Sequence, residues 1–117
     1  MMVPNQDQRL HFPATARNRE PIAEVLQQWL PKEGTILEIA SGSGEHAVEF
    51  QQRFPHLRWQ ASDPDPQHRA SINAWIKHTG QSKSMAKALD LDVTQQPWKL
   101  PKDIQISLSA IVCINLL

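Results

Sequence analysis

The sequence predicts an α/β fold: a parallel sheet with helices on both faces. Three observations predict it. Short apolar runs of β-type residues alternate with amphipathic stretches, and that alternation requires crossover connections and hence parallel strands. One run, Thr35-Ile36-Leu37-Glu38-Ile39-Ala40, passes through Ser41-Gly42-Ser43-Gly44 directly into a helical pattern at Glu45-His46. A later run, Ala110-Ile111-Val112-Cys113-Ile114, is almost wholly apolar, as in a strand covered on both faces.

Residues 1–19 read as an irregular lead-in, with Pro4 and Pro13 and no clear period. Pro21 then suits the first turn of a helix. Ile22, Val25, Leu26, Trp29 and Leu30 recur at i, i+3, i+4, i+7 and i+8, which predicts an amphipathic helix closed by Pro31 and Gly34. Residues 35–40 form the expected first strand, and residues 45–54 the next helix, with Ala47, Phe50 and Phe54 on one face and Pro55 after it. Residues 57–62 are the second strand. Asp63-Pro64-Asp65-Pro66 is a rigid turn in which Asp65 caps the helix that follows. That helix, residues 67–79, buries Ile72, Trp75 and Ile76 and stops at Gly80. Residues 85–91 are a weaker third strand; Pro97 and Pro101 break the chain before the fourth, residues 110–114.

A length of 117 residues suits one domain but is short for a doubly wound one, so residues 20–117 read as the N-terminal part of such a domain. Twelve basic residues balance twelve acidic ones, so nothing advertises nucleic acid or an anionic membrane. No apolar stretch approaches the roughly 20 residues of a spanning helix. The one cysteine, Cys113, has no partner for an internal disulfide, which fits a reducing, cytoplasmic setting.

Ligands of parallel α/β sheets bind outside the carboxyl ends of the strands, and the candidate residues fall at such ends. Gly42 and Gly44 let a strand turn sharply into a helix and let a ligand approach the backbone; a plain tight turn is the alternative. Gly42-Ser43-Gly44-Glu45-His46-Ala47 also satisfies the dinucleotide fingerprint G-x-G-x-x-A. Two carboxylates resist a diphosphate there. Glu45 stands at the helix N-terminus, where a pyrophosphate would sit. Glu38, two residues before the turn, suits a cationic ligand group, or else pairs with a nearby arginine. S-adenosylmethionine carries an ammonium, a carboxylate, a sulfonium and an adenosine but no phosphate, and so answers both objections.

Asp63 ends the second strand, where a carboxylate accepts both ribose hydroxyls; its alternative is a turn-forming Asp before proline. Asp92 follows the third strand and suits the adenine amino group, with the Val93 N–H toward a ring nitrogen; a solvated loop acid is the alternative, and Asp90 points the same way. Asn115, at the end of the fourth strand, faces the methyl acceptor or acts as a strand-end cap. Arg17 reaches toward a cofactor carboxylate or lies solvated before the first helix. The five histidines form no metal-ligand pattern, and no nucleophile elbow occurs.

Residues 36–46 resemble the first motif of class I S-adenosylmethionine-dependent methyltransferases. More narrowly, the chain resembles the methyltransferase-like protein 26 family, also called domain of unknown function 938. Pro13-Ala14-Thr15-Ala16-Arg17-Asn18-Arg19-Glu20-Pro21-Ile22 and Ala110-Ile111-Val112-Cys113-Ile114-Asn115 carry the narrower likeness. Trp59-Gln60-Ala61-Ser62-Asp63-Pro64-Asp65 and Leu89-Asp90-Leu91-Asp92-Val93 carry the broader one. The resemblance implies a Rossmann-like fold with sheet order 3-2-1-4-5-7-6 and cofactor contacts at Glu38, Gly42, Gly44, Asp63 and Asp92. Ala40 stands at the usual first glycine position, and Ser107-Leu108-Ser109 where an acid usually leads into the fourth strand. Against that pattern the fold is truncated after the fourth strand, so a bare apolar edge and marginal stability are expected. The function implied is methyl transfer from S-adenosylmethionine to an unidentified acceptor. An NAD-binding oxidoreductase and a non-catalytic cofactor-binding fragment are the competing readings.

Overall fold

The computed structural model of the protein describes residues 7–114. In chain order the elements are α1 (Pro13–Trp29), β1 (Thr35–Ile39), α2 (Glu45–Arg53), β2 (Arg58–Ala61), α3 (Pro66–His78), α4 (Lys102–Ser107) and β3 (Leu108–Cys113). The three strands form one parallel sheet in the order β2-β1-β3. The architecture is therefore α/β, with a small open parallel sheet flanked by helices.

The first helix begins earlier than its period suggests. Pro13 occupies the first turn of α1, and Pro21 lies in the helix interior. Residues 14–20 are mostly good helix formers, and Thr15 is already buried in the first turn, so packing carries the helix through the second proline. The inward stripe accordingly runs through Thr15, Ala23 and Leu26, with Ile22 and Leu30 packed beside the core. Val25 and Trp29, expected inside, are 57% and 79% exposed.

β1 is central. Ile36 pairs with Trp59 on β2 and with Ala110 on β3; Glu38 pairs with Ala61 and Val112. Ile36, Trp59 and Ala61 meet Ala47, Phe50 and Ile72 from α2 and α3 in the main apolar cluster. On the alternate face of the pleat, Leu37 and Gln60 are buried as well.

Two expectations for the sheet are corrected. The third strand reduces to one parallel bridge, Ser62 to Leu89, outside β2. Side chains claim the neighbouring backbone groups: Asn73 Oδ1 accepts the Ala88 N–H, and Gln60 Nε2 donates to the Lys87 carbonyl. The spatial order still runs from this bridged segment through β2 and β1 to β3. In β3 the burial alternates, with Ile111 and Cys113 exposed, so the strand is covered on one face among the described residues. α4, a single short helix where only a break was expected, is too brief to show a period.

Candidate glycine-turn site

Because β1 and β2 are parallel, their carboxyl ends emerge side by side. Two serines stitch these ends together. The Ser41 N–H donates to the Ser62 carbonyl at 2.8 Å, and the Ser62 N–H donates to Ser41 Oγ at 3.0 Å. Ser62 Oγ donates to the Glu38 carbonyl at 2.7 Å. The turn itself alternates into left-handed backbone at Ala40 (φ 53°), Gly42 (φ 62°) and Gly44 (φ 92°). A non-glycine residue is uncommon in that region, and Ala40 holds it where the resemblance expects glycine.

The two glycines have different reasons. A Cβ on Gly44 would lie 2.7 Å from Ile72 Cα, so glycine here lets α2 pack directly against the α3 backbone. A Cβ on Gly42 would lie 3.0 Å from the Phe12 ring, so this buried glycine is covered by the N-terminal segment.

Asp63 is 5% exposed and locks the turn in place. Its Oδ2 accepts the Gly42 N–H at 2.9 Å and its Oδ1 accepts the Asp65 N–H at 2.9 Å. His68 Nδ1 stands 3.2 Å from Oδ2. Arg69 Nη1 donates to the carbonyls of Asp63 and Pro64 and pairs with Asp90. Asp65 caps α3 by accepting the Gln67 N–H.

Glu38 is fully buried beneath the turn. Trp59 Nε1 donates to its Oε1 at 3.1 Å, while Oε2 has no hydrogen-bond partner among the described residues. Burial pushes this carboxyl up to about 7, against the stabilising Trp59 hydrogen bond; the nearby Asp63 charge adds to the rise. Among the described residues no arginine pairs with it. Glu45, at the start of α2, turns its Oε1 to the Phe12 N–H (2.7 Å) and to Ser43 Oγ (2.8 Å). Its carboxylate thus stays at the mouth of the turn.

The remaining candidates lie apart. Asp92 is exposed, and its Oδ1 accepts both the N–H and the Oγ1 hydroxyl of Thr94, which holds its carboxyl below the ordinary value. It follows the bridged segment and so leaves the sheet at the same end as Asp63. Val93 is half-buried, with its carbonyl taken by Trp98 Nε1. Arg17 is exposed on α1 and makes no ion pair among the described residues; Arg19, two residues on, pairs with Glu49 of α2. Asn115 lies outside the described residues. No group of three or more His, Cys, Asp or Glu side chains is placed to hold a metal among the described residues. Likewise, no helix there is long and apolar enough to cross a membrane.

Phe12, His68 and Ser71 carry no site signal in the sequence, and Trp59 enters only as part of a quoted motif, yet each touches this site. Ser71 Oγ donates to the Ser43 carbonyl at 2.6 Å and accepts the Leu10 N–H at 2.8 Å. These are long-range contacts with no local signature; only the i+3 spacing of His68 from Asp65, beside the cap, was readable. A family model described as a protein of unknown function (DUF938) matches residues 9–117, and the chain belongs to that family.

Proposed function

We propose that this chain supplies the S-adenosylmethionine-binding part of a class I methyltransferase, in the methyltransferase-like protein 26 group. The acceptor is a nucleophile that the sequence does not identify. The observation that carries the reading is the turn itself: left-handed backbone at Ala40, Gly42 and Gly44 is tied to Asp63, with a carboxylate rather than a cation at the start of α2. A diphosphate at that helix end would set two negative charges against Glu45; S-adenosylmethionine brings one carboxylate, offset by its own ammonium.

The donor set fits the cofactor's groups. Glu38 Oε2, buried and unpartnered, offers the acceptor that an ammonium group needs. Asp63 keeps lone pairs beyond its two backbone contacts, which suits vicinal hydroxyls. When bound, the cofactor supplies an electrophilic methyl on sulfur. The chain's residues bind and orient it, and positioning rather than covalent chemistry accounts for the rate. The single cysteine, Cys113, fits a reducing, cytoplasmic setting.

Calorimetric titration with S-adenosylhomocysteine, with NAD in parallel, tests this. Micromolar binding of S-adenosylhomocysteine alone, weakened in Gly42→Ala, is expected. NAD binding in its place would reverse the assignment to a dinucleotide enzyme. Binding of neither, by a chain that circular dichroism shows to be folded, would remove the cofactor reading altogether.

A further inference from the structure

We propose that residues 9–12 form a strap that closes over the glycine turn and opens as a local unit, controlling access to the turn. Phe12 lies directly on it: the ring sits 3.0 Å from where a Gly42 Cβ would stand, and its edge meets His68 at a centroid distance of 5.9 Å. Any ligand group laid against Gly42 needs the space that ring fills.

The strap is fastened by discrete polar contacts. The Phe12 N–H donates to Glu45 Oε1, the Leu10 N–H to Ser71 Oγ, and Trp75 Nε1 to the Leu10 carbonyl at 3.0 Å. Arg9 lies 4.9 Å over the Trp75 ring. None of the four residues belongs to the apolar core, and Phe12 is 37% exposed. Segments held by a few hydrogen bonds with little burial open at lower free energy than the core. The hinge is defined, because α1 begins at Pro13 and leaves Phe12 in extended backbone.

Ser71 joins strap to turn. Its buried hydroxyl accepts from Leu10 and donates to the Ser43 carbonyl, so one oxygen senses both segments. A ligand that shifts Ser43 therefore acts on the strap's fastening.

Amide hydrogen exchange read by NMR tests the strap without any ligand. The Leu10 and Phe12 amides should exchange well before those of Ile72 and Ile76 in α3. Ser71→Ala, a change within α3, should speed Leu10 and Phe12 about tenfold and Ile72 and Ile76 far less. Phe12→Ala should raise exchange at the Ser43 amide by a similar factor. Exchange of the strap together with α3, or a Ser43 amide indifferent to Phe12→Ala, would overturn the proposal. The ligand arm rests on the function proposed above: Phe12→Ala should accelerate association of S-adenosylhomocysteine several-fold, and an unchanged or slower association would overturn the gating role. If the exchange results hold while neither S-adenosylhomocysteine nor NAD binds, the cofactor reading falls and the strap stands.

Discussion

The Gly42 amide donates a 2.9 Å hydrogen bond to the Asp63 carboxylate. This one contact joins the end of β2 to the middle of the turn that follows β1. It gives Asp63 a structural duty beside any ligand duty, because the same side chain also holds the Asp65 N–H.

Asp63→Ala should therefore lower stability by about 1–3 kcal/mol, the cost of leaving buried backbone donors without an acceptor. Asp63→Asn keeps an amide oxygen for one of the two donors and should lose less. Urea unfolding of the three proteins checks this. Equal midpoints would mean that the carboxylate does not hold the turn. A loss of ligand binding in Asp63→Ala is then interpretable only beside Asp63→Asn.

Gly44 and Gly80 both adopt positive φ, at 92° and 70°, but their surroundings differ. A Cβ on Gly80 meets nothing within 4 Å, so Gly80→Ala should cost only the backbone penalty of about 1–2 kcal/mol. A Cβ on Gly44 collides with the Ile72 backbone, and Gly44→Ala should cost clearly more, because α2 and α3 must separate. Thermal unfolding of the pair should rank Gly44→Ala well below Gly80→Ala; the reverse order would contradict the direct α2–α3 contact.

These positions also mark what a sequence reveals. Glycines before a helix, the Asp65-Pro66 cap and the apolar period of α2 are local signals, and the elements they predict are present. α1 starts earlier than expected, with Thr15 already buried in its first turn, which no window around Pro21 reports. The third strand shrinks to a bridge because Gln60 and Asn73 take its neighbours' backbone groups. At the site, Gly42, Gly44 and Asp63 were legible from type and place. The Phe12 cover and the Ser71 relay were not, since each spans more than a helix length of sequence. Asp92 was legible as an acid after the bridged segment; its local turn with Thr94 was not singled out.

Glu38 should make stability depend on pH. Its carboxyl lies at about 7 in the folded chain against an ordinary 4.5. Between those values the folded state holds a proton that the unfolded state has released, so stability falls as pH rises through this window and levels above it. At ~1.4 kcal/mol per unit, the span is up to about 3 kcal/mol. His46 acts oppositely: burial lowers its basicity, so its contribution is lost as pH falls. The difference between wild type and Glu38→Gln isolates the carboxyl. Glu38→Gln should match wild type near pH 5 and exceed it near pH 8, measured as urea midpoints. Parallel profiles would show that Glu38 does not titrate in this window.

Glu45 should set ligand class. Its carboxylate stands at the N-terminus of α2, where the helix dipole would otherwise favour an anion. Glu45→Gln removes the charge but keeps an oxygen for the Phe12 N–H and Ser43 Oγ, so the strap stays fastened. Terminal charges of this kind are worth about 0.3–1 kcal/mol, which corresponds to roughly two- to five-fold in affinity. Any weak NAD binding should strengthen by that factor in Glu45→Gln, while S-adenosylhomocysteine, whose one carboxylate is offset by its own ammonium, should change less. Parallel calorimetric titrations decide it. A variant that gained affinity for both ligands alike would mean that Glu45 obstructs the site sterically or through the strap, and the charge argument against a diphosphate would lose its basis.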